Sequence, residues 1–241
     1  MIDVRRFTEE QRSLRRRFLD VIHREKLSHM GSCLSAMDII NAVYQIKRPQ
    51  DRFVLSNGHA ALALYVVLEK QGLFNLDSLE GLHIHPDRDT SRGIHVSTGS
   101  LGQGLPIALG MALADRSRDV YCMISDGESA EGSIWEALRV AVDQRVMNLR
   151  IVVNANGWAA YMPIDAVALE RKFHGFGYSV VTVDGHTPDA LQDVFRRSAP
   201  SSPEIILAMT DSEQFPFLKG LDAHYYMMTP DDYVMAKELL I

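Results

Sequence analysis

Asp126 and Asn156 each follow a short apolar run, residues 120–124 for the first and 149–153 for the second. Such runs read as buried strands. Both oxygen-bearing side chains would then emerge beyond the carboxyl ends of strands, where α/β sheets bind ligands. A right-handed crossover would set the two strands side by side or nearly so. One carboxylate, one amide oxygen and a nearby backbone carbonyl make half of a Mg²⁺ shell, which phosphate oxygens and water can complete. Gly127 lets the backbone approach a phosphate, and the helix predicted after it adds the positive end of its dipole. The pair reads as a diphosphate–metal site. Its residues also have a plain structural use, because Asp, Gly and Asn are common turn formers.

Four histidines add to this reading. His29 lies in Ser28-His29-Met30-Gly31, His59 in Asn57-Gly58-His59-Ala60, His85 before Pro86, and His224 in Asp222-Ala223-His224. All four fall at predicted loop–helix junctions. Any one alone is an ordinary surface or core histidine, but neutral imidazoles that both donate and accept suit proton transfer and hydroxyl recognition. Their spacing does not match a zinc site.

The elements that must position these groups are readable from periodicity and punctuation. Thr8 with Gln11 forms a capping box, followed by Leu14, Phe18, Val21 and Ile22 on one helical face. Ser35 is expected to cap a second helix carrying Ile39, Ile40, Val43 and Ile46. A strand over 53–55 and a helix over 60–70 follow, the latter ending near Gly72. Residues 82–104 hold several His and Gly residues and read as a functional loop. A helix is expected over 105–114. Then strands over 120–124, 149–153, 179–183 and 205–209 alternate with helices over 134–146, 166–173 and 188–197. This rhythm predicts an α/β fold in three layers, a mostly parallel sheet with helices on both faces.

Composition limits the class. The 241 residues are 46% hydrophobic and 23% charged, with formal net charge −6, which suits one globular unit with a real core. A mildly acidic chain without a basic stripe argues against nucleic-acid binding. There is no apolar run long enough for a membrane span. Two distant cysteines, Cys33 and Cys122, suggest reduced thiols and a cytoplasmic location.

The same segments resemble the N-terminal, diphosphate-binding half of transketolase, from about Arg15 to His224. Residues 51–60 look like the family's DRFVLSxGHA block. Ser97-Thr98-Gly99-Ser100-Leu101-Gly102-Gln103-Gly104 is similar to its TTGPLGQG loop. Asp126-Gly127-Glu128, with Glu131-Gly132, Trp135-Glu136-Ala137 and Asn148-Leu149, looks like its GDGExxEGxxWEA…NL block. The resemblance implies thiamine diphosphate with Mg²⁺ or Ca²⁺. Asp126, the Asn156 side chain and the Trp158 carbonyl fall on the metal-ligand positions, and Gly127 on the diphosphate-contacting glycine, with Glu128 beside it. His59 matches the histidine near the diphosphate and reacting carbon. Gly99 and Leu101 match the loop beneath the aminopyrimidine. His29 and His85 match histidines that hold donor-sugar hydroxyls, and His224 one near the cofactor. Glu131 and Glu136 match acids that link two active sites of a dimer. Those two glutamates also have a bland use, complementing a helix dipole.

The implied reaction moves a two-carbon ketol unit from a ketose to an aldose. The pyrimidine-binding domain, with the glutamate that activates the cofactor, and the C-terminal domain have no counterpart in this sequence. All 241 residues are therefore read as one diphosphate-binding domain with a helical extension over about 1–50. The missing domains are expected on a partner chain, in an assembly with two copies of each. Several positions depart from the family pattern: Ser28, Met30, Ser125, Asn154 and the run Gly157-Trp158-Ala159-Ala160-Tyr161. They suggest sugars other than those of central metabolism. A 1-deoxyxylulose-5-phosphate synthase-like or 2-oxo acid dehydrogenase E1-like subunit, or a non-catalytic homologue, remain alternatives.

Overall fold

Alternate residues of a strand face opposite sides of a sheet, and that alternation sorts the core. The computed structural model describes residues 3–77, 83–159, 161–197 and 202–241. Five strands, β1 (Arg52–Leu55), β2 (Val120–Ser125), β3 (Leu149–Ala155), β4 (Ser179–Asp184) and β5 (Glu204–Met209), form one parallel sheet in the order β1-β2-β3-β5-β4. On one face Phe53, Leu55, Tyr121, Met123, Val152 and Ile206 join the core of α1 (Glu9–Glu25), α2 (Met30–Ile46), α3 (Ala61–Lys70) and α7 (Pro188–Arg196). On the other, Val54, Cys122, Ile124, Ile151, Val153 and Leu207 meet α4 (Gly104–Ala114), α5 (Gly132–Asp143) and α6 (Ala166–Gly175). The three expected layers are present. β2 and β3 are buried along their whole length, as strands covered on both faces must be.

The chain walks in one direction across the sheet as far as β4, then steps back to β5. The helices α5 and α6 lie on one face and α7 on the other. Right-handed crossovers require that change of face when the walk reverses. β2 and β3 pair in a register that sets Ser125 beside Asn154, so Asp126 and Asn156 leave the sheet at the same edge.

Thr8 caps α1 with the expected capping box, and Leu14, Phe18, Val21 and Ile22 are all buried. The last helices are α8 (Asp222–Tyr225) and α9 (Pro230–Leu239). α9 docks on α1 through Tyr233 and Lys237, each 2.7 Å from Asp20. Beneath α1, the buried Arg15 guanidinium donates to both Asp38 oxygens at 3.0 and 2.7 Å and to Gln214 at 2.8 Å. His186 Nδ1 sits 2.8 Å from the same carboxylate.

Some boundaries differ from the sequence reading. Ser35 does not cap α2: the helix starts at Met30, with His29 as N-cap in a left-handed conformation (φ 67, ψ 30). Ser35 is buried inside it, and its hydroxyl donates to the Ser32 carbonyl at 3.1 Å. Serine is ambiguous in sequence because one hydroxyl can cap a helix or bond back by a turn. Gly31 serves close packing: a Cβ there would lie 3.0 Å from Ala223. α5 stops at Asp143, where Arg145 takes φ 49, and Val146 folds back into the core. β3 continues through Ala155. Leu82, at the start of the expected loop, and Ala160 lie outside the described residues. Among the described residues no helix is long and apolar enough to cross a membrane.

Candidate active site at the carboxyl edge of the sheet

Asp126 has no solvent exposure. Its Oδ1 accepts the Gly127 N–H at 2.9 Å and its Oδ2 the Gly157 N–H at 2.7 Å. Burial pushes the carboxyl up to about 7, against the pull of these N–H groups. A buried carboxylate of this kind favours a nearby cation. Asn156 Oδ1 accepts the Trp158 N–H at 3.0 Å, and its Nδ2 donates to Ser35 Oγ at 3.2 Å. A Cβ on Gly127 would lie 2.9 Å from Ala159 Cα and 3.3 Å from the Trp158 carbonyl oxygen. Only glycine permits this approach of the two loops. The second loop turns back on itself: Ala159 N–H reaches Met162 O and Ile164 N–H reaches Gly157 O, both at 2.8 Å. Its tip exposes Tyr161 at 86%.

The four histidines, far apart in sequence, converge. The His29 ring centroid lies 4.7 Å from that of His224, 5.5 Å from His59 and 6.5 Å from His85. His59 and His224 are 5.1 Å apart. Ser28 Oγ is 2.8 Å from His29 Nδ1, and Ser32 Oγ is 3.1 Å from His224 Nδ1. Burial, followed by repulsion from neighbouring imidazoles, holds His29 down to about 4 and His59 to about 3. Burial also lowers His224. These three rings are neutral at pH 7.

The Gly-rich loop closes against the same cluster. Gly99 has φ 138, and a Cβ there would stand 2.7 Å from His85 Cγ. Gly58 approaches the same loop, with a Cβ position 2.6 Å from Gly99 N. Thr98 Oγ1 ties the loop to β1 through the Leu55 carbonyl at 2.7 Å. Leu101 is half-buried within the loop. Glu128 is buried and accepts from Ser56 Oγ at 2.7 Å and Gly102 N–H at 2.8 Å. Its carboxylate thus binds the loop to the ends of β1 and β2. Glu131 is the exposed N-cap of α5. Glu136 is exposed and pairs with Arg139 at 2.7 Å.

Three residues that sequence reasoning does not assign to the site matter here. His29, Ser32 and Ser35 follow at intervals of three, on one face of α2. Ser32 holds His224, and Ser35 accepts from both Asn154 Nδ2 at 2.9 Å and Asn156 Nδ2. One helix face thus connects the imidazoles to the Asp126–Asn156 pair, over about 9 Å of helix rise. That spacing is visible in the sequence, but only once the helix start is put at Met30. The third is Asn57, two residues before His59. Its side chain is fully buried, and neither Oδ1 nor Nδ2 has a hydrogen-bond partner. A buried orphan amide is costly unless something pairs with it.

Comparison with known proteins agrees with this geometry. The family profile "Transketolase, thiamine diphosphate binding domain" matches residues 8–210. The chain is 33% identical over 228 residues to the 6-deoxy-6-sulfo-D-fructose transketolase subunit of a Clostridium species, covering 82% of each chain. It is 30% identical over 251 residues to an apulose-4-phosphate transketolase subunit of Phocaeicola vulgatus, covering 91% of this chain and 88% of that one. It is 36% identical over 210 residues to mouse transketolase-like protein 2, covering 76% of this chain but 33% of that protein. Campylobacter jejuni transketolase superposes on the whole chain with a TM-score of 0.81 at 24% identity, the chain covering 43% of its length. The chain therefore belongs to the transketolase family, as its thiamine diphosphate binding domain.

Proposed function

We propose that the chain is the diphosphate-binding subunit of a split transketolase. With a partner chain that supplies pyrimidine-binding and C-terminal domains, it transfers a two-carbon ketol unit from a ketose to an aldose. The observation that carries the reading is the four-imidazole cluster joined through one face of α2 to the buried Asp126–Asn156 pair.

The residues fit the cofactor and its metal. Asp126, Asn156 and the Trp158 carbonyl would hold Mg²⁺ or Ca²⁺, and Gly127 would admit the diphosphate. Each carboxylate oxygen of Asp126 has a second lone pair beyond the N–H it already accepts. Among the described residues no three His, Cys, Asp or Glu side chains group to hold a metal. The shell would thus rest on one carboxylate, from Asp126, with amide, backbone and diphosphate oxygens, the sharing Mg²⁺ prefers. The unpaired Asn57 amide offers a donor and an acceptor to a ligand beside His59. Thiamine diphosphate, when bound, supplies the carbon nucleophile and the electron sink for cleavage next to a carbonyl.

The protein's own part is orientation and proton handling. His29, His59 and His224 are neutral, so a free ring nitrogen of each can accept a hydrogen bond from a sugar hydroxyl or donate one to it. The Ser28 and Ser32 hydroxyls hold the rings of His29 and His224. Gly99 lets the loop reach the His85 ring without a side chain between them. The exposed Glu131 and Glu136 are assigned to contacts between the two active sites of an assembly with two copies of each chain. Two buried thiols, Cys33 and Cys122, agree with a cytoplasmic enzyme.

The departures at Ser28, Met30 and residues 157–161 favour sugars outside central metabolism. Two relatives of similar length are named for a sulfo-sugar and for apulose 4-phosphate, which supports that preference. Calorimetry of the full chain with its partner tests the core of the reading. Thiamine diphosphate should bind in a Mg²⁺-dependent way, and Asp126→Ala should abolish it. Binding unchanged by Asp126→Ala would overturn the metal assignment. Clear preference of the reconstituted enzyme for xylulose 5-phosphate would overturn the substrate reading.

A further inference from the structure

A second cleft, of about 910 Å³, opens at the other edge of the sheet, beside the amino-terminal end of β1. Lys47, Arg52, Arg88 and Arg118 line it, with Asp51 as the carboxylate among the lining residues. Asp51 is already committed: it pairs with Arg48 at 2.8 Å and accepts the Asp119 N–H at 3.0 Å. Four cations thus line the cleft beside one carboxylate, in a chain whose net charge is −6; Arg118 also pairs with Asp115 outside the lining, and Arg52 donates to the Gln50 carbonyl at 2.9 Å. Like charges gathered in a low-dielectric cleft repel one another and focus a positive potential. Arg118 is ion-paired with Asp115 but keeps hydrogen-bonding capacity. Its Nε is buried without a hydrogen-bond partner, and Asp115 stands 3.5 Å away.

His95 lines the same cleft as the four cations. Burial, then Arg52, Lys47, Arg118 and Arg88, hold its imidazole down to about 4. The opposite wall is apolar, formed in part by Ile107 and Met111 of α4. The site is separate from the imidazole cluster but shares a loop with it. Ser97 lines the cleft and accepts the Arg88 N–H at 2.8 Å, while Thr98 and Gly99 face Gly58 and His85.

We propose that this cleft binds a small phosphorylated molecule, its phosphate among Lys47, Arg52, Arg88 and Arg118 and its body against Ile107 and Met111. Guanidinium and ammonium groups are the usual phosphate partners. The cleft is of the size of small-ligand sites. The net negative charge of the chain disfavours a long nucleic-acid polyanion. This site is independent of the thiamine diphosphate reading.

The test is calorimetric titration of the full chain with inorganic pyrophosphate in EDTA, so that no metal supports binding at Asp126. Histidine resonances are followed by NMR in parallel. Saturable binding is expected, with a shift of the His95 signals. Affinity should fall about tenfold or more in Arg88→Glu and in Lys47→Gln, as for loss of a charge-assisted contact. It should be unchanged in Asp126→Ala. Arg88 is exposed, and far-UV dichroism checks that each variant stays folded. No saturable binding, or binding lost in Asp126→Ala and kept in the two cleft variants, overturns the proposal. Binding of an acidic peptide with none of pyrophosphate would assign the cleft to a protein segment and equally overturn it.

Discussion

His29 takes a left-handed backbone (φ 67), a conformation that costs a non-glycine residue free energy and is retained where neighbours over-determine it. Here it aims an imidazole at three others, and the pH response follows. His29 and His59 titrate near 4 and 3 in the folded chain because of burial first and neighbouring imidazoles second, against about 6.5 when unfolded. Below 6.5 the unfolded state binds more protons, so stability falls as pH drops from about 6.5 towards 4. Urea midpoints across that range should show the fall, and His29→Gln should make it shallower; an unchanged slope would contradict the assignment. Gly99→Ala is the sharpest single change at the loop. It forces a Cβ to 2.7 Å from His85 at a φ that side chains avoid, for a cost of about 1–3 kcal/mol. We expect displaced His85 resonances and loss of activity in the reconstituted enzyme. The roles proposed for Asp126 and Asn156 are read from their strand-end placement and from motif resemblance, and those proposed for the histidines mainly from resemblance; the orphan amide of Asn57 has no sequence signature, because a missing partner is a property of the packed interior.

At the scale of elements, α1 is legible in the sequence from its start, while α2 is legible as a helix but not in where it begins, for a physical reason. α1 has a capping box and an apolar stripe with a charged opposite face, so both its start and its phase are written locally. α2 is buried all round from Met30 to Tyr44, and a helix without a polar face has no stripe to phase it. Sequence alone places its start at Ser35, the very residue that bonds Asn154 and Asn156. Ser35→Ala removes the acceptor of the buried Asn154 amide and the half-buried Asn156 amide and should destabilise the fold by about 1–3 kcal/mol. It should also weaken cofactor binding, by freeing Asn156. Thr8→Ala, by contrast, removes only a cap and should cost about 1 kcal/mol, with binding untouched. Thermal melts and calorimetry on both variants separate the two effects.

Across the whole molecule, the Arg15–Asp38–His186–Gln214 network ties α1 and α2 to the segments after β4 and β5. Burial alone would raise Asp38, yet Arg15 and His186 hold its carboxyl down to about 2. Asp38→Asn leaves the buried Arg15 charge uncompensated and should cost about 3–5 kcal/mol, read as a lower denaturant midpoint. At the rim of the site Met162, Tyr225 and Met227 are exposed, and Tyr225 stacks edge-on to His224 at 4.6 Å. In our reading the partner chain covers this rim. Light scattering of the mixed chains should then give a complex with two copies of each, and a monodisperse monomer of this chain beside its partner would contradict it. The sequence by itself determined the alternation of strands and helices, the parallel sheet and the motif blocks that carry the family, because periodicity, caps and strand-end turns are local. Tertiary structure decided the reversal of strand order after β4, the meeting of four imidazoles drawn from residues 29 to 224, and the gathering of four cations along one cleft. Those depend on which distant segments the closed core brings within a few ångströms, and no local pattern encodes that.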